Sequence, residues 1–175
     1  ARFQLGNFEG ALDDYNRILD IDPTFYQAYN LRGLTYIQLD DFDRAMAEFT
    51  TVIEMNPDDA DAFYHRGLTK FNQSDWVAAY YDFEQAVILN PELADAIYHK
   101  GRIDLALSQN TDFPLLNQAF AEFTMAIDME MTQPYLLRGI TAYYLQDHEQ
   151  ALSDLITYEA LVEPLPDTYA DIMTE

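Results

Sequence analysis

Apolar residues return along this chain in one arrangement. Ala11, Leu12, Tyr15, Ile18 and Leu19 show it first, Ala45, Met46, Phe49, Val52 and Ile53 next, and Ala79, Tyr80, Phe83, Ala86 and Val87 after that. The spacing i, i+1, i+4, i+7, i+8 puts each set on one face of a helix of 3.6-residue period. Polar residues fill the places between. Ahead of these stripes lie shorter segments that end in glycine: Tyr29 to Gly33, Phe63 to Gly67, Ile97 to Gly101 and Tyr135 to Gly139. Two helices per unit are therefore predicted. In the unit that is easiest to read, the first runs from about Tyr26 to Leu39, Asp40 and Asp41 supply the turn, and the second runs from about Phe42 to Met55. Pro23, Pro57 and Pro91 follow the second helices, where the chain cannot continue a helix interior.

Gly33, Gly67 and Gly101 are 34 residues apart, and Gly139 follows after 38. Ala45, Phe49 and Pro57 stand at fixed distances behind Gly33, and Ala79, Phe83 and Pro91 at the same distances behind Gly67. A fixed period of this size marks a stack of repeated supersecondary units. Aromatic-x3-Gly, then Ala-x3-Phe, then Pro resembles the tetratricopeptide repeat, and the resemblance spans nearly the whole chain. It implies an all-α fold, a right-handed superhelical solenoid of antiparallel helix pairs, and a role in protein binding. The glycine and Ala45 are expected where the paired helices cross closely, since larger side chains would hold them apart. The sequence departs from the family pattern in two places. A basic residue precedes each glycine (Arg32, Arg66, Lys100, Arg138), and the aromatic three after it survives only as Tyr36.

The expected organisation is a single array. Residues 1–25 form a partial repeat, 26–59 and 60–93 two full repeats, 94–131 a repeat with an inter-helix insertion, and 132–165 a last repeat with Ala151, Leu152, Leu155 and Tyr158 as its stripe. Residues 166–175 form a capping helix or the start of a further repeat. From Gly101 to Ala119 is 18 residues where Gly33 to Ala45 is 12, so six residues are added, and 108–114 is the expected loop. Arg2 to Leu5 aligns with Tyr36 to Leu39, the end of a first helix, so the chain is expected to be a piece of something longer. Exposed Leu5, Phe8, Leu12 and Tyr15 at that end give weak homodimerisation as an alternative role.

Charge narrows the partners. Nine basic residues against 31 acidic give a net charge of −22. Such a chain repels phosphate, which excludes nucleic acid held through a basic footprint and disfavours anionic membranes. There is no cysteine, hence no disulfide and no thiol chemistry. No apolar run is long enough to span a bilayer. A soluble, cytoplasmic setting is the expectation, the compartment being otherwise open.

Candidate chemistry is sparse. His148-Glu149 begins like a zinc-protease helix, but Leu152 stands where the second histidine belongs, and Asp58, Asp59 and Asp61 precede no calcium-loop glycine. No nucleophile and base pattern occurs, so no catalysis and no cofactor are expected. Asp61 with His65 and Asp95 with His99 sit four apart on their helices, a ligand-binding or metal-binding alternative if they converged. Asn72-Gln73-Ser74 has the form of a glycosylation acceptor, though Ser74 reads better as a helix cap. The four basic residues before the glycines are either a cation ladder for an acidic ligand or, as expected in so acidic a chain, stems that pair with neighbouring carboxylates.

First helices line the ligand groove in proteins of the family this chain resembles. By that resemblance four rows face a partner: Gln27, Asp61, Asp95 and Gln133; Asn30, Tyr64, Tyr98 and Leu136; Leu31, His65, His99 and Leu137; and Leu34, Leu68, Arg102 and Ile140. Lysine and arginine of a carboxylate clamp are missing from these rows. Tyrosine, leucine, histidine and aspartate instead suit a neutral or basic peptide with apolar anchors.

Overall fold

The computed structural model describes residues 2–162. Among them the chain is all-α. After a 3₁₀ turn at Phe3–Leu5 come α1 (Phe8–Ile21), α2 (Tyr26–Gln38), α3 (Phe42–Met55), α4 (Ala60–Asn72) and α5 (Trp76–Leu89). Then follow α6 (Ala94–Leu107), α7 (Phe113–Asp128), α8 (Pro134–Tyr144) and α9 (His148–Leu161). The expected bounds of α2 and α3 hold to within a residue. The expected helix at 166–175 lies outside the described residues. The helices group into two compact units, Ala1–Pro91 and Glu92–Glu175. In the first, α2 pairs with α3 and α4 with α5; in the second, α6 pairs with α7 and α8 with α9.

The start of four of the five second helices, α1, α3, α5 and α9, is encoded in the same way. A residue with positive φ comes just before an Asp or Asn whose side chain accepts a hydrogen bond from the backbone three residues on. Gly6 precedes Asn7, Asp40 precedes Asp41, Ser74 precedes Asp75 and Gln146 precedes Asp147. The left-handed residue turns the chain back on itself, and the cap satisfies one of the four free N–H groups of the new helix. Ser74 is thus the turn residue, with φ 64°, and Asp75 is the cap, which corrects the expected assignment.

The core sits between paired helices. Phe49, Phe83, Phe123 and Leu155 are fully buried and lie against Gly33, Gly67, Gly101 and Gly139. A β-carbon on Gly33 would come 2.8 Å from the Phe49 ring, so the first helix needs glycine there. The ring, and not Ala45, fills the space the glycine leaves. Each such ring contributes about 1.5–3 kcal/mol by burial. Thr35, Thr69 and Thr141, two places after their glycines, are fully buried. Each hydroxyl donates to the carbonyl four residues back at 2.7–2.8 Å, which removes the cost of burying it. In the last stripe Leu152 is exposed, and Asp154 is buried in company with Ala151, Leu155 and Tyr158.

The six added residues of the third full repeat are mostly helix. Measured from the glycine, α6 runs one residue further than α2 or α4, the turn gains two, and α7 starts three residues earlier relative to its alanine. Pro114 sits in the first turn of α7, where its missing N–H costs nothing. Pro134 opens α8 in the same manner.

Candidate functional site

The basic residue before each glycine is turned to the structure. Arg66 donates from Nε and Nη2 to both oxygens of Asp82 on α5, at 2.9 and 2.8 Å, and Arg138 donates likewise to Asp154 on α9 at 2.8 and 2.7 Å. Arg32 pairs with Glu48, and Lys100 reaches Glu122 at 3.5 Å. A second arm extends to the preceding second helix: Arg32 to Asn16, Arg66 to Thr50 and Arg138 to Thr124. Each arginine also lies over the aromatic ring three residues earlier, Tyr29, Phe63 or Tyr135, at 5.3–5.5 Å. The cation is therefore a strut between consecutive helix pairs, and the repeated aromatic is its floor. Where that floor is Ile97, the cation is lysine.

Around Lys100 the charge balance reverses. Asp82 faces two cations, Arg66 and Lys70. Lys100 faces two buried carboxyls, Asp104 on α6 and Glu122 on α7. Burial pushes the Glu122 carboxyl up to about 8, and the neighbouring Asp104 charge adds to the shift. Burial also raises Asp104, opposed by its hydrogen bond with Glu122 and by the Lys100 charge. Sequence reasoning missed this pair. Its signal was an Asp at the place that is Tyr36 or Lys70 in the earlier repeats.

The expected ligand-facing rows are distributed as follows. In the first unit, Gln27, Leu31 and Asp61 are exposed, while Asn30, Leu34, Tyr64, His65 and Leu68 are half-buried. Tyr64 rests on Phe83 at 5.8 Å between ring centroids and on His65 at 5.2 Å. His65 also packs on Phe49 of α3 at 5.5 Å, so its ring joins one helix pair to the next. In the second unit, Asp95 and Gln133 are exposed, and Tyr98, Arg102, Leu136 and Leu137 are half-buried. Tyr98 lies on Phe123 at 6.0 Å and under Arg102 at 5.7 Å, and burial raises its hydroxyl pKa.

His99 and Ile140 are buried, at 8% and 5% exposure, and so form part of the packing behind the row. The His99 ring nitrogen Nδ1 lies 2.7 Å from the Asp95 carbonyl, which makes that nitrogen the N–H donor. Burial lowers the His99 pKa, with nearby Arg102 acting in the same direction. The hydrogen bond to the Asp95 carbonyl opposes the shift, and the net effect favours the neutral ring. Among the described residues no group of three or more His, Asp or Glu side chains is placed to hold a metal ion. A cleft of about 380 Å³ is lined by Phe113, Asn117, Phe120, Ala142, Leu145 and Asp147. Among the described residues no helix is long and apolar enough to cross a membrane.

A family model described as Tetratricopeptide repeat matches residues 1–64, and the same glycine, cap and strut recur through the helices beyond that match. Over residues 1–64 the chain matches the tetratricopeptide-repeat family, and the described helices beyond them form the same kind of helix pair. Solved structures agree on the fold. MamA from Desulfovibrio magneticus RS-1 is 20% identical, with 91% of this chain and 88% of that one covered and a TM-score of 0.78. PilF of Pseudomonas aeruginosa is 17% identical over 97% of this chain and 74% of its own, with a TM-score of 0.82. YrrB, described as a TPR protein with an unusual peptide-binding site, is 20% identical over 92% of this chain and 81% of its own, with a TM-score of 0.72. No curated protein matches the chain by sequence.

Proposed function

We propose that this chain is a non-catalytic interaction module that binds a neutral-to-basic peptide or helix of a partner protein on its first helices. One observation carries the reading. In each unit an exposed aspartate, Asp61 or Asp95, stands one turn ahead of a half-buried tyrosine, Tyr64 or Tyr98, whose ring is held against a fixed phenylalanine. Such tyrosines offer wide contact area with little side-chain freedom left to lose, and the carboxylates favour lysine or arginine in the ligand. In the first unit, Gln27, Asn30, Leu31, Leu34, His65 and Leu68 complete the face. In the second, Arg102, Gln133, Leu136 and Leu137 do so, while His99 and Ile140 support it from behind. The peptide-binding description of YrrB, a protein of the same fold, is consistent with this use. The cations that could have formed an anion ladder are engaged in struts, which favours a ligand that is not acidic.

The test is a pull-down from lysate followed by titration of the recovered partner. Tyr64→Ala with Tyr98→Ala is expected to cost at least ~2 kcal/mol in affinity. Binding should weaken as salt rises, because the attraction of a strongly acidic chain is screened. A partner that is acidic, or indifferent to both tyrosines, would place the ligand elsewhere.

A further inference from the structure

The outward rows of the second helices can be compared position by position, because their buried alanines fix the register. On α1 the outermost places are Glu9, Asp13 and Asp20, and on α3 they are Asp43, Ala47 and Glu54. On α7 and α9 they hold only polar residues or alanine. On α5 the same places hold Val77, Tyr81 and Ile88, at 60%, 62% and 64% exposure. Spacings of four and seven put the three on one line along the helix, a strip about 16 Å long. The repeat needs nothing apolar there, since α3 keeps the same fold with carboxylates at two of the three places. These three places are all large and apolar on α5 alone, and an exposed apolar strip of this kind marks a contact surface.

We infer that the outward face of α5 is a second docking surface, and that its occupant is an amphipathic helix of a partner protein with apolar residues on one side and lysine or arginine beside them. Charge selects that occupant. Glu84 lies on the same face between Tyr81 and Ile88, and Asp43 and Glu54 hold the matching places on α3. The cations around them are engaged, Arg44 with Asp41, and Arg66 and Lys70 with Asp82. A basic helix meets attraction along the whole strip. A second copy of this chain would instead bring another 22 net negative charges against it. The surface is separate from the first-helix face, which α4 presents through Asp61 and Tyr64.

The probe is a labelled amphipathic helical peptide of leucine and lysine, about 18 residues long, beside a leucine and glutamate peptide of the same pattern. The variant transplants the α3 surface onto α5: Val77→Asp, Tyr81→Ala and Ile88→Glu. Because it adds two negative charges, it strengthens any non-specific attraction for lysine, so a loss of binding reports the apolar strip alone. The leucine and lysine peptide is expected to bind wild type and to lose about tenfold or more in the variant. Tyr64→Ala with Tyr98→Ala should leave it unchanged, which separates this surface from the first-helix face. The reciprocal variant Asp43→Val, Ala47→Tyr and Glu54→Ile should gain a second equivalent of bound peptide, a readout that survives if the first variant folds poorly. Trp76, beside Val77 and the sole tryptophan, reports binding by its fluorescence. Equal affinity in wild type and transplant overturns the proposal. So does preference for the glutamate peptide, or loss only in the tyrosine variant. Wild type that sediments as a dimer while the transplant is monomeric assigns the strip to a second copy and overturns it as well.

Discussion

Placing a methyl group at Gly67 tests how the helix pairs are held together. The β-carbon of Gly67→Ala would lie 2.9 Å from two ring carbons of Phe83 and 3.2 Å from the Asp82 β-carbon. Phe83 is fully buried with Tyr64 against its face, so the ring cannot withdraw without moving α5. Overpacking of this kind costs about 1–3 kcal/mol. Alanine in a helix interior returns about 1 kcal/mol of propensity. The net expectation is a loss of about 1 kcal/mol. At Gly139 the nearest atoms, the Ala151 carbonyl oxygen, the Asp154 β-carbon and the end of the Leu155 side chain, all stand off at 3.2 Å, so a methyl group asks for a shift of only a few tenths of an ångström. There the two effects should nearly cancel, leaving Gly139→Ala within about 0.5 kcal/mol of wild type. Phe83→Leu copies the partner that Gly139 has. Gly67→Ala combined with Phe83→Leu should lose less than the sum of the two single losses, by about 0.5–3 kcal/mol. Urea unfolding, followed by Trp76 fluorescence for the first unit and by circular dichroism for the whole chain, gives these values. Strict additivity of the pair, or equal losses at Gly67 and Gly139, would refute the account of glycine as the seat of a buried ring.

Two further outcomes are expected. Asp154 is almost fully buried and also accepts a hydrogen bond from Gln150, whereas Asp82 keeps Lys70 when its arginine is removed. Arg138→Ala should therefore cost about 3–5 kcal/mol in thermal or urea unfolding, and Arg66→Ala clearly less; the reverse order would refute the strut reading. Glu122 is raised in the folded chain from 4.5 to about 8, so the folded state keeps a proton that the unfolded chain releases. The stability this contributes is complete below about pH 4.5 and is lost as pH rises towards 8. Glu122→Gln should flatten that decline and be the more stable form at pH 9 by chemical unfolding at several pH values. Parallel pH profiles for both proteins would contradict it.

The sequence by itself determined the helices, their pairing within a repeat and the seats of the core. Those follow from local spacing: the 3.6-residue period, a proline behind the second helix, and a glycine where the paired helices cross. It also indicated that Arg32, Arg66, Lys100 and Arg138 would pair with carboxylates, because so acidic a chain leaves few cations unpaired. Only the tertiary structure decided which carboxylates. The partners lie 16 residues on in the uninterrupted repeats but 22 on for Lys100, a separation set by helix packing and the added residues of α6 and α7. The same holds for His99 and Ile140, which share rows with exposed or half-buried residues yet end up buried. Position within a repeat fixes the direction of a side chain, whereas its exposure depends on what the neighbouring helices set over it. The grouping into two units and the carboxyl pair of Asp104 and Glu122 were settled at that level too, by contacts between helices that no local spacing encodes.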